Sequence, residues 1–209
     1  MPIFFYLCGL GIILQGFVNF WCYTSCFRLK VKAPLAYAVY LLVYGATGFA
    51  NLYYQYVTNS MLGFMIVAIM LAFHFLPFYL MTEGSFIKKI LLYIICILVI
   101  DTVAEGTVYT VELLWNLGGQ LKPNQFDMHR LICTISHGLI TLPLKYATAK
   151  IWNRVVNRSE EKLNLVFMIF PVGQFVSFVL IRMELPANEW DSDKLFILVL
   201  YYFSIIISC

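Results

Sequence analysis

The chain has 209 residues, 62% of them hydrophobic and 12% charged, with a net charge of +3. An ordinary soluble domain is roughly a quarter charged, so a water-exposed globule, a disordered chain and a fibrous repeat are all excluded. No basic run stands apart from the apolar blocks, and nothing therefore points to a nucleic-acid partner.

Charge clusters and Gly, Pro and Asn breaks divide the chain into seven blocks, compared with the roughly 20 residues a helix needs to cross a hydrocarbon core. In chain order they are Ile3 to Phe27, Ala33 to Val57, Met61 to Met81, Ile87 to Leu117, Leu131 to Trp152, Leu163 to Met183 and Leu195 to Cys209. Apolar runs such as Met61–Phe73 and Ile90–Ile100 lack the alternation that the strands of a membrane β-barrel need. The first block has no basic leader, which argues against a cleaved signal peptide. The expected fold is all-α: a polytopic membrane helical bundle of about seven spans, forming one domain over residues 1–209.

Lys and Arg are retained on the cytoplasmic side. With the N-terminus outside, inner segments hold Arg28, Lys30, Lys32, Lys88, Lys89, Lys145, Lys150, Arg154, Arg158 and Lys162. The outer segments hold Lys122, Arg130, Arg182 and Lys194 beside Asp127, Glu184, Glu189, Asp191 and Asp193. The bias predicts an outer N-terminus and a cytoplasmic C-terminus. The last block is short and has no basic anchor, so a further cytoplasmic portion is expected after residue 209.

Ionisable groups inside a membrane are costly and mark function by default. The fourth block carries Asp101, Glu105 and Glu112 on one helix face, and the fifth carries His129, Cys133, His137 and Lys145. Matching depths at about 1.5 Å per residue predicts that Asp101 pairs with Lys145, that Glu105 falls near His137 and Thr141, and that Glu112 falls near Cys133 and Arg130. This seam of Asp101, Glu105, Glu112, His137 and Lys145 is either a coupling element or a set of structural pairs. Structural pairing is the commoner use of such groups.

His129, Cys133 and His137 lack a visible fourth ligand, and no metal site is expected. Cys133 and His137 outline a nucleophile and base without an orienting group, which is weak support for an enzyme. Cys22 and Cys26 read as reduced apolar fillers, and His74 as a hydrogen-bonded helix contact. Pro77 and Pro143 predict kinks in the third and fifth spans. Tyr53, Tyr54 and Tyr56 read first as an interfacial aromatic belt. Asn51, Tyr54, Gln55, Gln125, Phe126, Glu189 and Trp190 make up a candidate ligand-facing outer end.

The run Tyr79-Leu-Met-Thr-Glu-Gly-Ser-Phe-Ile-Lys-Lys-Ile-Leu-Leu-Tyr93 leads into a span with internal acids at Asp101 and Glu105. A loop with Gly118 and Gly119 follows, and then a span ending in Lys150-Ile-Trp-Asn-Arg154. Over roughly residues 60 to 209 this order resembles the N-terminal membrane sensor domain of AgrC-like receptor histidine kinases of Gram-positive bacteria. The resemblance implies a homodimeric receptor for a secreted peptide, coupled to a GHKL-type kinase domain that binds ATP and Mg. No kinase motif occurs in these residues, so no cofactor is expected in this segment. The competing reading is a small transporter or proton-coupled permease using Asp101, Glu105 and His137. A membrane cysteine protease acting through Cys133 and His137 is a distant third.

Overall fold

The computed structural model describes residues 3–58, 64–101, 103–104, 107–108, 126–154 and 156. All elements within them are helical. Helix α1 covers Ile3–Cys26, α2 Ala33–Thr58, α3 Phe64–Met81 and α4 Phe86–Ile94; a π-helical segment, Ile95–Ile100, extends α4, and α5 covers Met128–Arg154. These match the first five blocks to within a few residues where the chain is described, while the sixth and seventh lie outside the described residues. Helices α1 and α2, with 24 and 26 residues, are long and apolar enough to cross a membrane. Helix α5 is longer at 27 residues, but its Thr, His and Lys side chains dilute its apolar character. Pro77 and Pro143 both lie within continuous helices.

Helix α1 packs against both α2 and α5, and α2 packs against α3. The perimeter is apolar: Leu42 and Leu139 are 72% and 71% exposed, and Leu14, Ile69 and Phe73 are also open. The interior, in contrast, buries Asn19, His74, Thr141 and Lys145. Such a distribution suits a hydrocarbon surround, where backbone and side-chain polar groups must find partners inside the bundle. An aromatic core ties α1, α2 and α3 together, with Tyr23 stacked on Phe78 at 4.3 Å and Phe20 on Tyr40 at 4.5 Å.

Small residues set how closely α1 and α2 approach. A Cβ on Gly16 would lie 2.7 Å from Tyr44 Cδ1 and 3.0 Å from its Cγ, at the base of a buried ring that cannot swing away cheaply. Gly16→Val is therefore expected to cost about 1–3 kcal/mol through overpacking, read as a lowered unfolding midpoint in detergent.

At one end of the bundle the α1–α2 and α3–α4 connections pair with each other. Leu29 and Thr82 form an isolated bridge, Lys30 N donates to Met81 O at 2.9 Å, and Glu83 N donates to Arg28 O at 2.8 Å. Gly84 closes the second turn at φ +111°, a conformation that L side chains rarely adopt. Lys89, counted from sequence among the inner basic residues, is 2% exposed. Its ammonium folds back to donate to the carbonyls of Tyr79 and Thr82. Those are orphan acceptors at the end of α3, where the helix dipole favours a cation. Asn153 Nδ2 donates to Ser25 O at 2.9 Å, bringing the end of α5 to the same place. Arg28, Lys30, Lys32, Lys88, Lys150 and Arg154 thus gather at a single basic end.

Candidate functional site

Helix α5 turns one polar stripe inward: Arg130, Thr134, His137, Thr141 and Lys145, at spacings of three and four that keep them on one face. Helix α1 answers with Gln15, Asn19, Cys22 and Cys26 at the same spacings. The ion pair expected between Asp101 and Lys145 is present, with the Lys145 side chain fully buried and that of Asp101 14% exposed. The same ammonium also donates to Asn19 Oδ1. Asn19 Nδ2 in turn donates to the Tyr44 hydroxyl at 3.3 Å. The Tyr44 ring lies 4.4 Å from that of His74, whose Nε2 meets Thr47 Oγ1 at 2.5 Å. Because the Thr47 hydroxyl donates to the Val43 carbonyl at 2.8 Å, its oxygen accepts from His74 Nε2–H. This connected set draws on α1, α2, α3, α5 and the chain just beyond the π-helical segment.

His137 forms a second branch. Its Nε2 lies 3.2 Å from Asp101 O, and its Nδ1 lies 3.4 Å from Gln15 Nε2. A carbonyl only accepts, so His137 Nε2 donates to Asp101 O, and Nδ1 faces the Gln15 amide. Both ring nitrogens of His137 thus face groups on other elements, Gln15 on α1 and the Asp101 carbonyl. Asp101 is therefore gripped twice, by its carboxylate and by its carbonyl. The six residues before it form a π-helix, a geometry that is rare and recurrent at functional sites. Beside it, Cys22 Sγ lies 3.7 Å from Cys96 Sγ and donates to Lys145 O at 3.4 Å. Among the described residues no group of three His, Cys, Asp or Glu side chains is placed to hold a metal ion.

At the end opposite the basic one, Arg130 organises the predicted outer residues. Its Nη2 donates to Gln55 Oε1 at 2.6 Å, and Gln55 Nε2 donates to Asn51 Oδ1 at 2.9 Å. The guanidinium carbon stands 4.2 Å above the Phe126 ring, a stacking that suits the planar group. Phe126 packs 5.0 Å from Phe5 and 6.0 Å from Tyr56. Asp127 Oδ1 caps the start of α5 by accepting from Arg130 N at 3.0 Å.

The structure thus brings together Asn51, Gln55 and Phe126, and separately Asp101, His137 and Lys145. Tyr54 is 36% exposed on a neighbouring face of α2, while Tyr56 takes the inward place. Glu105, Glu112, Gln125, Glu189 and Trp190 lie outside the described residues. Sequence reasoning left Gln15, Asn19, Tyr44 and Thr47 out of the seam and Arg130 out of the outer site. The available signal was the pair Gln15 and Asn19, one turn apart in an otherwise apolar helix. Comparison with family models, with curated proteins and with solved structures finds no match to this chain.

Proposed function

We propose that the chain is the membrane-embedded sensing module of a two-component receptor histidine kinase, multi-pass in a Gram-positive cell membrane with its N-terminus outside. It would read a secreted peptide at the Arg130 end and work as a homodimer. The observation that supports this most is the inward stripe of α5. It runs from the Arg130–Gln55–Asn51 cluster through His137 to the Asp101–Lys145 pair, and so reaches a network involving α1, α2 and α3. A ligand that prefers one arrangement of Arg130 biases the whole helix, which is the differential binding that signalling requires.

Fusing the chain to the catalytic half of a GHKL-type kinase tests this. Autophosphorylation is expected to change when conditioned medium from the producing strain is added, and no response to any native peptide would count against a receptor. A second reading, proton or cation passage, draws on the same chain of polar groups between Asp101 and His74. Flux into liposomes that disappears with Asp101→Asn would favour it.

A further inference from the structure

A groove of about 470 Å³ runs along the outside of the bundle between α1 and α5, lined by Phe17, Val18, Trp21, Leu142, Pro143 and Tyr146. Its volume lies within the roughly 300–1,000 Å³ of ordinary ligand sites, and its lining is apolar apart from the indole nitrogen and the phenol. The groove has a direction. At its basic end the Trp21 and Tyr146 rings lie parallel, 6.1 Å apart, as interfacial aromatics do at headgroup depth. Lys150, one turn beyond Tyr146, places its ammonium 4.5 Å over that ring. Arg154 follows one turn later on the same face, and both cations are exposed. Neither is paired with a carboxylate among the described residues. Along α5 the order is therefore aliphatic at Leu142 and Pro143, aromatic at Tyr146, then cationic at Lys150 and Arg154.

That order is the complement of a phospholipid: acyl chain, glycerol region, phosphate. We propose that the groove holds one acyl chain of an anionic glycerophospholipid from the leaflet at the basic end, with its phosphate against Lys150 and Arg154. Helix-lined basic pockets at the cytoplasmic face bind such headgroups by the same physics. The site goes beyond the sensing role and requires only that the bundle crosses a bilayer. A zwitterionic phospholipid would fill the groove and carry the same phosphate, but its own ammonium already balances that charge, so it gains less from the two cations. Anionic lipid is thus selected by charge and located by the groove.

The test uses the full chain in nanodiscs doped with phosphatidylglycerol or phosphatidylcholine brominated on the acyl chain. Trp21 quenching is taken as the difference between the wild type and Trp21→Phe. Phosphatidylglycerol is expected to quench at lower mole fraction, and the Lys150→Gln/Arg154→Gln variant to lose about fivefold of that preference per charge removed. Both substitutions are at exposed positions, and a second variant, Val18→Phe, fills the groove and should cut quenching by either lipid while leaving the cations in place. Equal quenching by the two lipids would overturn the proposal. A preference that survives the double variant would assign it to the general charge of the basic end, and also overturns it. Quenching by neither lipid means that protein covers the groove, with the same consequence.

Discussion

Lys145→Met is expected to destabilise the bundle by about 3–5 kcal/mol, because it leaves the Asp101 carboxylate in the interior without its counter-charge. Part of that loss arises at Asn19, whose Oδ1 would lose the ammonium it accepts from. Asp101→Asn is expected to cost a comparable amount by stranding a fully buried ammonium. The informative variant is the double one. Asp101→Asn/Lys145→Met removes both charges, and most of the stability should return, since a well-packed neutral replacement of a buried pair is often neutral or better. Unfolding midpoints of the four proteins in one detergent give the coupling energy. Additive single losses would show that the two side chains are not joined in solution. If the receptor reading holds, the double variant separates structure from signalling: it should fold, yet respond weakly to ligand, because the charged link between Lys145 and Asp101 is gone and only the contact of His137 with the Asp101 carbonyl remains there.

Arg130→Ala should have the largest effect at the opposite end. The guanidinium holds Gln55 at 2.6 Å and lies over Phe126, so truncation removes both the hydrogen bond and the cover of that ring. An arginine stacked on an aromatic ring is a frequent binding hot spot, worth about 2 kcal/mol or more. If the receptor reading holds, the ligand concentration for half-maximal response should accordingly rise by at least roughly tenfold. Arg130→Lys keeps the charge but not the planar fork, and should recover only part of the loss. Unchanged dose–response curves for both variants, with normal protein levels, would overturn the proposed ligand site at Arg130.

Much of the architecture is legible in residue order. The apolar blocks ending near Cys26, Thr58 and Met81 bound the helices because breaks in hydropathy and clusters of Lys, Gly and Pro interrupt hydrocarbon-length runs. Depth matching at a fixed rise per residue was sufficient to join Asp101 to Lys145, since two adjacent antiparallel helices leave few alternatives. The rest of the site was less visible for a physical reason. Gln15, Asn19, Tyr44 and Thr47 are uncharged, so no single one carries the cost that makes an intramembrane acid conspicuous. Their role depends on how α1 is rotated toward α2 and α5, which small residues such as Gly16 permit.

The sequence by itself determined the helical class, the positions of the helix ends and the two opposed ends of the bundle, because hydropathy and charge are properties of residues in order along the chain. Only the tertiary structure decided which polar groups meet. It turned Lys89 from one of the inner basic residues into a helix cap, Arg130 from a flanking charge into a partner of Gln55 and Phe126, and His137 into a bridge between Gln15 and Asp101. Each of these outcomes depends on partners from other helices. Their contact is set by helix rotation and close approach, which one-dimensional spacing does not encode.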